Sequence, residues 1–373
     1  MKYCSACVTP NTRPHLTLDA DGVCNACEAA RQKGGDIDWD SRASSFSDVA
    51  RSAVEQGREY DCLIPVSGGK DSTWQVVTCL EAGLHPLAVT WKTPARTELG
   101  ARNLANLVSL GVDHIDFQVN PKVEAQFMLK ALDRFGSTAI PMHMSLFNVP
   151  LKLAARYEIP LVVWGENSAF EYGGTEEERT GSVMDSTWLR KYGITQGTTA
   201  EDWIDAELTR ADLAPYFGPT PEELQAKGTR AVFLGYYYPW DPETSLRVAR
   251  QHGFESRVEG PKLGLYDYAD IDCDFISIHH WIKWYKFGFT RLFDNLSLEI
   301  RAGRSTREQA IEVICETGEQ RPSADIRAFC SFVGISEQSF DERIEPFRNP
   351  QIWKRGGGVW KIPGFLVPDW KWS

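Results

Sequence analysis

The stretch YDCLIPVSGGKDSTWQVV, residues 60–77, decides the fold. Its apolar run at 60–66 predicts a buried strand, and helix-like periodicity follows at 73–83. Between them stands Ser-Gly-Gly-Lys-Asp-Ser, residues 67–72. Backbone N–H groups in a glycine-rich loop and at a helix N-terminus attract anions. The stretch therefore predicts a phosphate site, with a plain Gly-Gly turn as the alternative.

Two common nucleotide motifs do not match this loop. The Walker A pattern would need Gly where Ile64 stands and Ser or Thr where Asp71 stands, and the dinucleotide pattern G-x-G-x-x-G also fails. The loop nevertheless has the parts of an anion site. Two glycines allow close backbone approach, two serines can donate hydroxyls, and one lysine supplies a positive charge, in the order Ser67, Gly68, Gly69, Lys70 and Ser72. An acid beside phosphates suits a bound divalent cation, so Asp71 is expected to help hold Mg²⁺.

Strand and helix patterns alternate after this loop. Further strands are predicted at 85–91, 113–119, 159–165 and 231–240, and helices at 98–111, 121–136 and about 146–158. This alternation indicates βαβ units and a mostly parallel, Rossmann-like sheet. Because such sheets bind ligands at the carboxyl ends of their strands, the loop and the pair Glu166-Asn167 are expected to share one crevice.

The chain divides into three predicted parts. Residues 1–45 form a cysteine-containing module with a linker, 46–270 form the α/β domain with an insertion at about 171–230, and 271–373 are mostly helical. These boundaries follow from changes of composition and periodicity along the chain.

Four cysteines near the N-terminus have metal-ligand spacing. Cys4, Cys7, Cys24 and Cys27 form C-x2-C-x16-C-x2-C, which predicts a zinc ribbon with a closed, structural Zn²⁺ site. An iron–sulfur cluster or redox dithiols are the alternatives. The five other cysteines stand alone, and buried packing is expected for them.

Net charge and hydropathy limit the partners and the compartment that the sequence predicts. The 373 residues carry a formal net charge of -11, which argues against a broad nucleic-acid footprint. The N-terminus lacks a signal-peptide pattern and no apolar run reaches about 18 residues. We therefore expect a cytoplasmic protein with no membrane span and no nucleic-acid partner.

The hexapeptide SGGKDS resembles the PP-loop of the ATP pyrophosphatases, which include GMP, NAD and asparagine synthetases and tRNA-thiolating enzymes. This resemblance implies that ATP is cleaved between its α and β phosphates and that an oxygen of the acceptor is adenylated. Pyrophosphate would lie in the loop and adenine near Thr90 and Trp91. Val66, Gly165 and Asn103 are further expected contacts of the nucleotide, although Asn103 also suits a polar helix face.

Amide formation and tRNA thiolation are the two chemistries that this loop leaves open. The acidic charge and the lack of a second CxxC pair past residue 27 favour amide formation. A closer resemblance spans nearly the whole chain: it is similar to the N-acetyl sugar amidotransferases of surface-polysaccharide biosynthesis through YCSACVTPNTRP, DADGVCNAC, SGGKDS, WGENSAFEYGG, YYPWD and KFGFTRLFDNLSLEIRAGRSTREQAI. The family implies ATP-dependent conversion of a sugar carboxylate to a carboxamide.

The matched segments also indicate residues for the acceptor. Glu166 is expected to bind Mg²⁺ or orient ammonia, and a solvated loop carboxylate is the alternative. The substrate residues expected to shape a sugar pocket or to bind an anionic sugar nucleotide are Glu171, Tyr172, Gly173, Gly174, Lys286, Arg291 and Arg301. An ordinary turn and a solvated helix face are the alternatives, and His279-His280 is interpreted as ordinary helix residues.

Ammonia is expected to come from another protein. The chain begins Met-Lys-Tyr, and Cys4 is assigned to the metal, so no N-terminal cysteine nucleophile is available. We therefore expect a separate HisH-like glutaminase, with a HisF-like channel subunit suggested by the family resemblance. A scaffold or nucleotide-sensing protein is the non-enzymatic alternative, against which the intact Lys70-Asp71 pair argues.

Overall fold

The structure is a computed structural model that describes residues 1–372; for Arg179, Thr180 and Ser186 only the backbone is described. Its centre is a five-stranded sheet in which every neighbouring pair of strands is parallel. The strands are β1 Cys62–Pro65, β2 Pro86–Trp91, β3 Asp113–Phe117, β4 Leu161–Trp164 and β5 Arg230–Phe233. The predicted Rossmann-like parallel sheet is confirmed.

The strand order β3-β2-β1-β4-β5 creates a switch point beside β1. The chain moves outward from β1 through β2 to β3, and then crosses back to place β4 on the other side of β1. In open parallel sheets the crevice for a ligand opens where the order reverses in this way. The segments that follow β1 and β4 therefore meet, as the sequence predicted. All residues of both strands are buried.

Helices surround the sheet and form most of the rest of the chain. Before and among the first four strands lie α1 Asn25–Gly35, α2 Trp39–Val54, α3 Lys70–Glu81, α4 Glu98–Val108, α5 Pro121–Phe135 and α6 Ile140–Tyr157. The segment between β4 and β5 contains α7 Ser168–Tyr172, α8 Glu176–Thr180, α9 Ser186–Tyr192 and α10 Pro221–Lys227. Short 3-10 turns at Ala200–Trp203 and Ala214–Tyr216 connect these last helices.

The C-terminal region is helical, as predicted, and ends in a small hairpin. After β5 come α11 Leu234–Tyr237, α12 Pro242–Gln251, α13 Ile276–Phe287, α14 Arg291–Arg301, α15 Arg307–Thr317, α16 Ser323–Val333 and α17 Glu337–Ile344. A 3-10 turn at Glu345–Phe347 precedes the antiparallel strands β6 Lys354–Gly356 and β7 Val359–Lys361. Because α13 packs in one apolar core with α5 and α6, this region borders the crevice of the sheet.

Two predicted elements differ from the structure. The strand predicted at 231–240 ends at Phe233 and gives way to α11. There the Gly235 N–H donates to the Gly165 carbonyl at 3.0 Å, so the chain turns across the end of β4 instead of extending along it. Helix α6 starts six residues earlier than predicted, since Pro141 suits a first helical turn and Pro150 is accommodated inside the helix.

Candidate functional site

A cavity of about 880 Å³ opens at the carboxyl ends of the central strands. This volume lies within the range of small-ligand sites. Its lining includes seven residues predicted for the nucleotide, namely Val66, Ser67, Asp71, Ser72, Thr90, Trp91 and Gly165, and also Glu166. The opposite wall comes from α13 and α14, and the N-terminal residues Arg13, Pro14 and His15 contribute to the rim.

The loop between β1 and α3 is folded tightly around its own backbone. The Ser72 hydroxyl donates to the Gly69 carbonyl at 3.0 Å, and the Ser67 hydroxyl accepts from the Gly69 N–H at 3.2 Å. Gly68 has φ +85°, and a Cβ there would stand 2.5 Å from the Leu104 backbone nitrogen. This glycine is therefore required for the turn, and α3 begins at the loop with its N-terminus free of a side-chain cap.

Charged groups are concentrated at the start of α3. Lys70 Nζ lies 2.6 Å from Asp71 Oδ2, and Trp240 Nε1 donates to Asp71 Oδ1 at 2.8 Å. Burial, and then the negative charge of Asp71, raises the pKa of Glu166 to about 7. Two neighbouring acids with hard oxygen atoms fit a magnesium ion, and a buried lysine beside them fits phosphate. The donor set therefore suits ATP with Mg²⁺.

Two predicted residues near this end are engaged elsewhere. The Asn103 amide donates to the Glu255 carbonyl at 2.9 Å and accepts from the Glu255 N–H at 2.8 Å, so it ties α4 to the segment after α12. Asn167 caps α7 through the Ala169 N–H and accepts from the Trp188 indole at 3.2 Å. Both side chains hold backbone segments in place and lie outside the cavity lining.

The wall formed by α13 and α14 carries paired and unpaired cations. Arg291 pairs with Asp270 at 3.0 Å, and Lys283 pairs with Asp294 at 3.1 Å. Lys286 has no carboxylate partner among residues 1–372 and donates to the Phe135 carbonyl at 2.8 Å. Burial lowers the pKa of Lys286 to about 8. Lys286 and Arg291, both predicted to bind the acceptor, line the cavity.

Three histidines also line the cavity, of which the sequence interpretation treated His279 and His280 as ordinary helix residues and gave His143 no role. His143, His279 and His280 line the cavity, and the rings of His143 and His279 are 6.0 Å apart between centroids. Burial lowers the pKa of His143 to about 4, so its imidazole is neutral at pH 7. His143 comes from α6, far from α13 in sequence, and only the fold brings them together.

Residues 166–174, here called the wall segment, close one side of the cavity. Of the residues predicted to shape a sugar pocket, Tyr172 and Gly173 line the cavity, whereas Glu171 lies outside the lining and pairs with Lys33 at 2.6 Å. Gly174 does not line the cavity. A Cβ at this position would stand 2.7 Å from the Tyr192 hydroxyl, so this glycine allows contact within the protein.

Arg301 is placed differently from the substrate-binding prediction. It lies outside the cavity lining, and its Nη1 donates to the Glu171 carbonyl at 3.0 Å. Its Nη2 lies 3.8 Å from Cys7 Sγ and 3.9 Å from Cys24 Sγ. The charge of this arginine is thus directed at sulfur, which its sequence position on the last turn of α14 did not reveal.

The four N-terminal cysteines converge as their spacing predicted. Their Sγ atoms lie within 4.8 Å of one another and all four residues are buried. The pairs Cys4–Cys27 and Cys7–Cys24 have Sγ separations of 3.9 and 3.8 Å. Tetrahedral Zn–S bonds of about 2.3 Å would place sulfur atoms about 3.8 Å apart. The cluster therefore fits one tetrahedral, thiolate-bound ion such as Zn²⁺.

These features define an α/β protein with a PP-loop-like phosphate cradle at the sheet's switch point and a buried four-cysteine cluster. Residues 263–364 match the family model described as the C-terminal domain of WbpG-like LPS biosynthesis proteins. The C-terminal region, which includes α13 and α14, is thus similar to the C-terminal domain of WbpG-like LPS biosynthesis proteins, and the predicted resemblance to proteins of surface-polysaccharide biosynthesis is confirmed over these residues.

Beyond the family model, similarity was found only to solved structures. No curated protein matches this chain in sequence. Solved structures that match include NMN synthetase from Francisella tularensis, with 13% identity, a TM-score of 0.27, and coverage of 58% of this chain and 93% of that chain. An NH3-dependent NAD synthetase from Campylobacter jejuni in complex with nitrate has 15% identity, a TM-score of 0.29 and the same coverages, 58% and 93%. TM-scores this low carry no argument about function. No helix in residues 1–372 is long and apolar enough to cross a membrane.

Proposed function

We propose that the protein is an ATP-dependent amidotransferase that converts the carboxylate of an N-acetylated sugar acid to a carboxamide in surface-glycan biosynthesis. One observation carries the proposal: a single cavity is lined both by residues of the Ser67–Ser72 loop and by residues of α13 and α14 in the WbpG-like region. An acceptor held on that wall would present its carboxylate to the α-phosphate of ATP held on the loop.

The reaction balances without an additional reagent. A carboxylate oxygen attacks the α-phosphorus of ATP, pyrophosphate leaves, and ammonia then displaces AMP from the acyl adenylate to form the amide. In this proposal the Ser67–Ser72 loop and Lys70 bind the leaving pyrophosphate. Asp71 and Glu166 would hold Mg²⁺, which would supply positive charge beside the phosphates. Thr90 and Trp91 border the adenine.

The acceptor end is proposed to bind an anionic sugar, either a nucleotide-linked uronic acid or a nonulosonic acid. Lys286 is a cavity-lining cation without a carboxylate partner in the described chain, so an anionic group would complete its surroundings. Tyr172 offers a ring face at the side of the cavity. We propose zinc as the ion of the four-cysteine cluster. We also propose that a separate HisH-like glutaminase, together with a HisF-like channel subunit, supplies the ammonia.

Pyrophosphate release tests this function. The purified chain is incubated with ATP, Mg²⁺, ammonium and a panel of sugar acids, free and nucleotide-linked. We expect release that depends on both a sugar acid and ammonium, with a carboxamide product in the mass spectrum. Release that depends on tRNA would instead identify a thiolation enzyme, and absence of release with every acceptor would favour a scaffold.

Two lysine variants distinguish an effect on the phosphate loop from a general loss of stability. Lys70→Met removes the charge beside Asp71 and is expected to lower the rate by about 100-fold or more, since charge-stabilising donors in sites contribute on that order. Lys122→Met, on the exposed start of α5, is expected to retain the wild-type rate. Equal rates for the two variants would contradict the assignment of the loop.

A further inference from the structure

Side chains of the N-terminal cysteine module, residues 1–35, contact the wall segment. Arg13 Nη1 donates to the Tyr172 carbonyl at 3.2 Å, and Asn25 Nδ2 donates to the Gly174 carbonyl at 3.2 Å. Lys33 forms its ion pair with the Glu171 side chain. Nearly every residue from 171 to 174 is therefore positioned by a side chain that belongs to the module.

The glycine between these contacts makes the close approach possible. Gly173 has φ +111°, and a Cβ at this position would stand 2.9 Å from Asn25 Oδ1. Any other residue would therefore be strained in its backbone and would press on the module. The sequence pattern Tyr-Gly-Gly thus reflects contact between the wall segment and the module at this point.

Arg301 contacts the wall segment and the sulfur cluster at the same time. One terminal nitrogen donates to the Glu171 carbonyl, and the other lies within 3.9 Å of both Cys7 Sγ and Cys24 Sγ. Four thiolates around a divalent cation carry a net charge of about −2, because each cysteine binds metal as a thiolate. A loaded cluster therefore attracts the guanidinium strongly, whereas protonated thiols would not.

We propose that Arg301 is a positioning residue that couples metal occupancy of the four-cysteine cluster to the order of the wall segment. When the cluster is loaded, the thiolates fix one arm of the guanidinium and the other arm holds the Glu171 carbonyl. Tyr172, the next residue, is thereby held at the cavity. When the metal is removed, Arg301 loses its anchor and the segment from Ser168 to Gly174 opens more often.

Hydrogen exchange read by mass spectrometry tests this coupling without any substrate, so its result is independent of the proposed amidotransferase activity. The readout is exchange at Phe170 and Glu171, whose N–H groups bond to the Asn167 carbonyl. The full chain is compared with zinc bound and after chelation. We expect chelation to raise the exchange rate of these amides by about tenfold, the effect of losing one charge-assisted contact on local opening.

Two arginines of the C-terminal region provide a matched comparison. Arg307 also contacts the module, through the Cys4 and Cys7 carbonyls at 3.3 and 3.1 Å, and no hydrogen bond joins it to residues 166–174 in the described chain. Arg307→Gln should keep the tenfold response. Arg301→Gln should retain its zinc, exchange fast even when loaded, and respond clearly less to chelation than the wild type, the remaining response coming from the contacts of Arg13, Asn25 and Lys33.

Arg301→Lys is the second variant, for use if Arg301→Gln does not retain zinc. Lysine keeps one positive charge but lacks the two terminal nitrogens with which arginine contacts both the Glu171 carbonyl and the cysteine sulfur atoms, so the same weak response to chelation is expected. The proposal is overturned if chelation leaves exchange at Phe170 and Glu171 unchanged in the wild type. A full tenfold response in a zinc-retaining Arg301 variant would overturn it equally.

Discussion

Replacing Glu124 by glutamine should change how stability depends on pH. Glu124 lies on α5 and is 1% exposed, and its Oε1 has no hydrogen-bond partner among residues 1–372. Burial raises the pKa of this carboxyl to about 8. At neutral pH the acid is therefore protonated in the folded protein and ionised in the unfolded chain. Because ionisation of this carboxyl then favours the unfolded chain, the free energy of unfolding falls as pH rises.

The sign and size follow from proton linkage. Below pH 4.5, the ordinary value, both states are protonated and the group has no effect. Between about 4.5 and 8 the unfolded chain binds fewer protons, so the free energy of unfolding falls as pH rises, by at most about 1.4 kcal/mol per unit. Between pH 5 and pH 7 the loss attributable to Glu124 is about 2.5 kcal/mol.

Urea unfolding at pH 5, 6 and 7 measures this directly. The free energy of unfolding of the wild type should fall by about 2.5 kcal/mol more over this range than that of Glu124→Gln, since glutamine does not titrate. Subtracting the two slopes removes the contributions of the other titrating groups, because these are the same in both proteins. Glu312→Gln, on an exposed face of α15, is the control and should follow the wild type. Parallel curves for wild type and Glu124→Gln would refute the reasoning.

Three further outcomes are expected. Gly68→Ala should destabilise the protein by about 2 kcal/mol, because Gly68 has φ +85° and Leu104 leaves no space for a Cβ. Gly69→Ala should cost less than about 1 kcal/mol in the same urea assay, because φ of Gly69 is −72°. Equal losses of stability in the two variants would contradict this prediction. Metal analysis should show about one equivalent of zinc in the wild type and in Cys315→Ser, which changes an exposed cysteine, and none in Cys24→Ser; zinc retained by Cys24→Ser would argue against the cluster as the site. Amine-reactive labelling of Lys286 should be half-maximal near pH 8, and a midpoint near the ordinary value of about 10.4 would show that burial does not act on it.

Local patterns were sufficient for the sheet and for the phosphate loop. The apolar runs at β1, β2 and β4 are buried throughout in the structure, so hydrophobicity and strand position agree. The loop is specified by adjacent residues, since Gly68 must adopt positive φ and the serines bond within the same turn. Cysteine spacing likewise placed the cluster correctly, because each pair needs only its own short turn.

Distant contacts determine the parts that the sequence did not predict. The apolar aromatic run after Phe233 has the composition of a strand, yet the bond from Gly235 to Gly165 turns it into α11. Asn103 has the polarity of a ligand-binding residue, but its partner is the backbone at Glu255, about 150 residues away. A side chain's chemistry can be read from sequence, whereas its partner depends on the fold.

The segment WGENSAFEYGG shows what this means for assigning a substrate site. Its first residues, Gly165 and Glu166, line the cavity beside Asp71. Its later residues are bound mainly by the cysteine module, through Asn25 at Gly174 and Lys33 at Glu171. Similarity to a family over this segment can therefore arise from two different requirements, one for the nucleotide end and one for the module. A loss of activity in Glu171 or Gly174 variants would not by itself identify a sugar contact, because both positions support Tyr172 from outside the cavity. Of residues 168–174, only Ser168, Tyr172 and Gly173 line the cavity and can contact an acceptor directly.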